Sequence, residues 1–324
     1  MKIIKPPKLK EGDTVGVITP SSYILEDLRS KFDIGIKVLE EEYGLKVKLG
    51  EHVFDQYFYS AGTAEDRLKD LHAMFRDQEV KAVIPSLGGE SINQMLDKID
   101  YDLIKQNPKI ICGISDGSML INAIHSKTGL ITYHGPDVIF TFGRNQLPAI
   151  RENIRKSWFD GEVGQIKPLP KWEHEEDPKL TFEGWSSVRS GKASGTLIGG
   201  HLGVTMELEL TRMMPDFKDA ILFLEGTDPV ADIDRQLTAL KLAGVFDKIS
   251  GLILGWFEWR FPKNDEEYRE IRDIILEVTR DYDFPILEIG ELGHNVPNYV
   301  FPIGCQATID ADRLYFSVDE PAVV

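Results

Sequence analysis

The chain has 324 residues, 42% of them apolar and 28% charged, with a formal net charge of −16. That balance belongs to a folded globular protein with room for two domains of ordinary size, and the acidic surplus argues against a protein that grips nucleic-acid polymers through clustered Lys and Arg. The N-terminal residues lack the apolar stretch of an export signal and no uncharged run reaches the length of a membrane span, so a cytoplasmic protein that uses no membrane is expected.

The first half alternates short apolar runs with helical periods. "TVGVITP" reads as a buried strand ending at Pro20, followed by a loop at Ser21 and Ser22. "DLRSKFDIGIKVLEEEYG" has apolar positions at helical spacing and stops at Gly44. "LKVKLG" predicts a second strand, "AEDRLKDLHAMFRD" a helix, "VKAVIPS" a third strand running into Gly88 and Gly89, and "KIICGIS" a fourth. Strands separated by helices of this length imply βαβ crossovers and a mostly parallel sheet, whose functional loops follow the C-terminal strand ends. Ser21, Ser22, Gly88, Gly89 and Ser115 all fall in such loops.

From about 145 to 185 the pattern breaks into charged, Pro-containing sequence, "KPLPKWEHEEDPKL". The expected organisation is therefore an N-terminal α/β domain over 1–150, a linker or lid loop over 151–184, and a C-terminal domain over 185–324. Trp158, Trp172 and Trp185 either pack on a substrate or anchor this segment to the body. Beyond it, "ASGTLIGGHLG", "AILFLEG", "ISGLILGWF", "FPILEIG" and "QATIDADRLYFSV" are β-like. "DIDRQLTALKLAG" and "DEEYREIRDIILEVTRDY" between them are helical. A mixed α/β or barrel-like second domain follows. Cys112 and Cys305, far apart in apolar segments, read as buried free thiols, and no H-E-x-x-H or comparable set suggests a metal.

The sharpest chemical signal is Gly113-Ile114-Ser115-Asp116-Gly117 between a strand and a helical stretch. A serine on such a turn is held clear of the sheet at a helix N-terminus that favours developing negative charge. The same spelling also fits a serine N-cap with Asp116 supporting the first turn. Gly88 and Gly89 either supply oxyanion-binding amides, with the amide of Asp116 as a second donor, or simply form a turn. Among the seven histidines, His52, His72 and His174 lie in helix-like or charged surface contexts, His125 on the helix after Ser115, and His134 after a strand. His294, in the Gly- and Pro-rich "ELGHNVPNYVFPIG", has no periodic structure to explain it and suits the base that a serine needs. Glu225 ends the strand "AILFLE", where a buried carboxylate must either be paired or shift its pKa, and an imidazole partner would satisfy it.

These blocks, together with "YHGP", "SGTLIGGHLGV", "ILFLEGTDPVADIDRQLTALKLAG" and "GHNVPNYVFPIG", resemble the LD-carboxypeptidase family of serine peptidases, which also contains the microcin C immunity proteins. The resemblance runs over nearly the whole chain. It implies a Ser115, Glu225, His294 triad, an oxyanion hole from the amides of Gly88 and Asp116, and no cofactor. It also implies a flavodoxin-like N-terminal domain bearing the serine and a swivelling C-terminal domain bearing the other two, the site in the cleft between them, and a homodimer. The substrate would be a small peptide, as in removal of terminal D-Ala from a murein tetrapeptide, or a peptidyl nucleotide of the microcin type. Two positions depart from the pattern. Leu87 stands where many murein-trimming members have Arg, and His201 replaces the Asn of a "GGN" block, which makes His201, with Gly89 and Trp185, a candidate substrate contact. An esterase of the α/β-hydrolase type and a non-catalytic binding protein are the competing readings.

Overall fold

The computed structural model describes residues 2–173, 181–211, 213–258 and 269–324. The chain forms two compact units, one made of Met1–Glu162, Val300–Gly304 and Pro321–Val324, the other of Val163–Tyr299 and Cys305–Glu320.

The first unit contains, in chain order, β1 (Thr14–Ile18), α1 (Arg29–Glu41), β2 (Lys46–Leu49), α2 (Ala64–Arg76), β3 (Val80–Pro85), α3 (Tyr101–Gln106), β4 (Ile110–Gly113), α4 (Gly117–Thr128), β5 (Thr132–His134) and α5 (Pro148–Arg155). Apart from α5, these follow the apolar runs and helical periods of the sequence. α2 starts at a reciprocal capping box, in which the Thr63 hydroxyl accepts from the Asp66 N–H at 3.2 Å and Asp66 accepts from the Thr63 N–H at 2.9 Å. The strands β1 to β5 are parallel, in the order β5-β4-β3-β1-β2, which is the flavodoxin-like arrangement. The chain leaves β1 toward β2 on one side and returns to β3 on the other, so a crevice opens at the C-terminal ends of β1 and β3. The loops after β1, β3 and β4 meet on that edge: the Ser86 N–H donates to Ile18 at 2.8 Å and the Ser22 N–H to Gly88 at 3.2 Å.

Two elements lie where the sequence reads as irregular. α5, with Pro148 at its first turn, falls inside the charged 145–185 stretch, and its neighbour Trp158 is fully buried. Phe301–Ile303, inside the loop-like "VPNYVFPIG", is a sixth strand pairing antiparallel with β5 at the edge of the first sheet. An edge position tolerates Pro302, which has no N–H to give a ladder.

The second unit contains β6 (Gly164–Ile166), β7 (Trp172–Glu173), β8 (Thr181–Phe182), β9 (Ser186–Arg189), β10 (Lys192–His201), α6 (Leu202–Thr211), β11 (Ala220–Gly226), α7 (Val230–Leu242), β12 (Gly251–Phe257), α8 (Ile271–Val278) and β13 (Ile286–Glu288). With Phe301–Ile303 counted as β14, β15 (Gln306–Asp310) and β16 (Tyr315–Val318) complete it. Its eight-stranded sheet runs β6-β16-β15-β10-β11-β12-β13-β9, parallel from β10 to β13 and antiparallel at both flanks. β11 and β12 are buried along their whole lengths, as strands covered on both faces must be. α8 occupies the C-terminal part of the predicted long helix, whose residues 265–268 lie outside the described ones. No helix among the described residues is long and apolar enough to cross a membrane.

The turn from β4 into α4 places Ser115. Its φ is +59°, left-handed for a residue with a Cβ, a conformation that costs about 1–3 kcal/mol and persists only where the surroundings enforce it. The two flanking glycines have different standing. A Cβ on Gly113 would sit 2.7 Å from the Gly117 carbonyl oxygen and 2.9 Å from its carbon, whereas a Cβ on Gly117 meets nothing within 4 Å. Backbone atoms cannot step aside, so Gly113→Ala should lower stability by about 2 kcal/mol or more in urea unfolding. Gly117→Ala, by contrast, should leave it unchanged or raise it by up to about 1 kcal/mol through helix propensity.

Candidate active site

Ser115 is partly exposed at the head of α4, and its carbonyl accepts the Ser118 N–H at 2.9 Å. Asp116 is the N-cap residue but makes no side-chain cap hydrogen bond. Its carboxylate instead turns back toward the strand loops. Oδ2 accepts from the Ser21 hydroxyl at 2.5 Å, the Ser91 N–H at 2.8 Å and the Ile92 N–H at 2.9 Å. One buried oxygen thus joins the loop after β1, the loop after β3 and the elbow after β4.

Gly88 and Gly89 are fixed by close approach. A Cβ on Gly88 would lie 2.7 Å from Cβ of Ser115 and 3.1 Å from its Oγ, so the backbone at 88 touches the serine side chain directly. Gly89 has φ +144°, and a Cβ there would fall 2.3 Å from the Ser22 hydroxyl and 2.5 Å from that of Ser21. Ser115, Asp116, Gly88 and Gly89 are therefore one assembly within the first unit.

Arg67 supports this assembly and was not singled out by its sequence context. It is buried on α2, where Nη1 donates to the carbonyls of Pro20 and Ser91 and to the Ser91 hydroxyl, each at 2.9 Å, and Nη2 donates to Gln94 at 2.7 Å. Burial pulls its pKa down and the charge of Asp116 pushes it back up. The available signal was its spacing: Arg67, Leu71 and Met74 share the buried face of α2, and a charge on an apolar face needs partners.

The other histidines are occupied elsewhere. His52 pairs with Asp55 at 2.7 Å, which raises its pKa. His72 accepts the Asp100 N–H at 3.0 Å and His125 bonds the Leu130 carbonyl at 2.8 Å, and burial lowers the pKa of both. His134 meets the Ser118 hydroxyl at 3.3 Å, and His174 lies outside the described residues.

His294 faces a fully buried carboxylate. Its Nδ1 lies 2.7 Å from Oε2 of Glu225, whose exposure is 0%. Glu225 sits where the β11–β12 register shifts between Leu224 and Gly226, an irregularity of the kind that re-aims a side chain at the end of a strand. With Glu225 ionised, Nδ1 carries the proton and Nε2 is the basic nitrogen. His201 is the register partner of Glu225 across β10 and β11 and lies edge-on to His294, with 5.7 Å between ring centroids. Its Nε2 lies 3.3 Å from both the N–H and the hydroxyl of Thr227. Glu225, His294 and His201 are thus gathered in the second unit.

Trp185 is buried there too, its indole N–H donated to Glu291 at 2.6 Å. Glu291 also accepts the Leu169 N–H at 2.8 Å, and burial pushes its carboxyl pKa up. Trp172 stacks on Phe182 with centroids 5.6 Å apart and packs against Trp256. Both tryptophans thus pack within the second unit. Among the described residues no group of three or more His, Cys, Asp or Glu is placed to hold a metal.

Removing the Asp116 carboxylate tests how the serine is held. Asp116→Ala leaves two buried N–H groups without their acceptor and should destabilise by about 3 kcal/mol or more, while Asp116→Asn, which retains an acceptor oxygen, should cost about 1 kcal/mol. Denaturant unfolding of the two variants side by side reads the difference, and equal losses would show that the acceptor is not what matters.

Family models of the LD-carboxypeptidase N-terminal and C-terminal domains match residues 15–135 and 194–309. A Bacillus subtilis (strain 168) protein named "Probable murein peptide carboxypeptidase" is 34% identical, over 94% of this chain and 91% of its own. The Escherichia coli microcin C7 self-immunity protein MccF is 30% identical, over 96% of this chain and 94% of its own. A solved structure of MccF in complex with aspartyl sulfamoyl adenosine superposes with a TM-score of 0.90 at 29% identity, covering 99% of this chain and 100% of that one. The chain belongs to the LD-carboxypeptidase family and is a serine carboxypeptidase, a hydrolase.

Proposed function

We propose that this enzyme hydrolyses an amide by a Ser115, His294, Glu225 triad through an acyl-enzyme, and that its substrate is a murein-type tetrapeptide from which the terminal residue is released. The observation that carries the mechanism is the 2.7 Å bond between His294 and the buried Glu225, because it leaves Nε2 as a base and provides a counter-charge for the imidazolium. His294 takes the proton of Ser115, Oγ attacks the scissile carbonyl carbon, and the oxyanion is received by the amides of Gly88 and Asp116. The imidazolium then protonates the leaving nitrogen and the C–N bond breaks. A water, deprotonated by His294, attacks the ester; its collapse releases the acid and returns the proton to Ser115. The chemistry requires Nε2 within hydrogen-bond reach of Oγ, about 3 Å, during turnover.

A second substrate reading, an aminoacyl nucleotide of the microcin type, is favoured by one residue. Leu87, at the position where murein-trimming members carry Arg, is only 8% exposed and brings no cation to a substrate carboxylate. The aspartyl sulfamoyl adenosine held by MccF is a ligand of that second type.

Both readings are tested by incubating the wild type and Ser115→Ala with a murein tetrapeptide and with aspartyl sulfamoyl adenosine, following products by mass spectrometry. Release of D-Ala by the wild type, reduced about 1,000-fold or more in Ser115→Ala, is expected. Cleavage of the nucleotide alone moves the assignment to the second substrate, and cleavage of neither sinks both.

A further inference from the structure

His294 stands on a segment, residues 291–300, that contains no helix or strand. A side chain on such a segment keeps its place only if other groups fix the backbone. Asn298 supplies that fixation. Its Oδ1 accepts the Gly293 N–H at 2.7 Å and its Nδ2 donates to the Gly293 carbonyl at 2.5 Å. That carbonyl belongs to the peptide joining Gly293 to His294, so a single amide sets the plane from which the imidazole departs.

The neighbouring residues make the clamp necessary. Gly293 has φ +147°, and a Cβ there would meet the Trp256 carbonyl at 2.8 Å. On the other side Asn295 has φ +56° and is held by donating from Nδ2 to Glu258 at 2.9 Å. His294 is therefore suspended between two positive-φ residues, an arrangement that extended or helical backbone cannot reproduce. The contact of Nδ1 with Glu225 acts on the ring and not on the peptide that carries it.

We infer that Asn298 is a positioning residue for the reaction, acting through the Gly293 backbone to aim His294 without touching the substrate. The inference rests on His294 being the base. Misplacing a catalytic group by about an ångström costs on the order of 100-fold in rate. The Trp256 N–H to Leu292 bond at 2.6 Å holds the preceding residue, and Asn298→Ala removes both side-chain bonds to Gly293 itself.

The test uses fluorophosphonate labelling of Ser115 in the full chain. It reads maximal rate separately from half-saturating concentration, together with the low-field proton resonance of the His294 to Glu225 bond. In Asn298→Ala the maximal rate should fall about 100-fold and half-saturation stay within about threefold. The low-field resonance should weaken while the thermal midpoint moves only a few degrees. A maximal rate within about threefold of wild type overturns the inference, as does a loss confined to half-saturation. If Asn298→Ala does not fold, Asn298→Asp keeps the acceptor for the Gly293 N–H and loses the donor. A fall of about tenfold in its maximal rate then supports the clamp and an unchanged rate overturns it. His294→Ala separates the two levels. Wild-type labelling in that variant defeats the triad itself, whereas a dead His294→Ala beside a fully active Asn298→Ala defeats only the clamp.

Discussion

One carboxylate oxygen of Asp116 holds three donors from two other loops, and the surroundings of Ser115 depend on that convergence. A left-handed serine after a buried strand is an expensive conformation, and the elbow would relax if the loops after β1 and β3 were free to move. Hydrogen bonds to an ionised acceptor contribute about 1.5–3 kcal/mol each, enough in combination to hold the strained turn. Arg67, whose pKa the nearby charge of Asp116 raises against burial, donates to the Pro20 and Ser91 carbonyls. The same cation thus tethers the loops that Asp116 collects.

The second unit solves a related problem with a different partner. Glu225 is fully buried at a strand end, where a charge needs a partner, and Nδ1 of His294 lies 2.7 Å away. His201, next to this pair, is bonded through Nε2 to Thr227. Trp185 and Glu291 then brace the segment from which the His294 loop departs, so the tryptophan contributes to the site through packing and one hydrogen bond.

Much of this was legible because it rests on local patterns. Apolar runs alternating with helical periods specify β1 to β5 and their crossovers, and the strand, glycine, serine, glycine order specifies the elbow. His294 stood out because nothing periodic accounted for it. Arg67, Glu291 and Asn298 were not legible, since their work is side chain to backbone over loops whose proximity only the fold creates; the Arg67 to Pro20 bond spans 47 residues. β14 was missed for a related reason. Three residues with a central proline make a strand only because β5 offers an open edge. α5 was obscured by the charges around it, although Pro148 at its first turn is a normal helix start.

Each group of residues lies within its own unit. Ser115, its elbow and Gly88 are held by Asp116 and Arg67; His294 and Glu225 are held by a loop and a strand end. Neither set includes Leu87, which is buried beside Gly88, and the His201 ring takes no part in the Glu225 to His294 bond. Under the proposed triad, the two positions that depart from the family pattern lie outside the groups that perform acyl transfer. A changed side chain there would alter what the site meets without altering how the serine is activated, because the Glu225 to His294 bond and the donors on Asp116 involve neither residue.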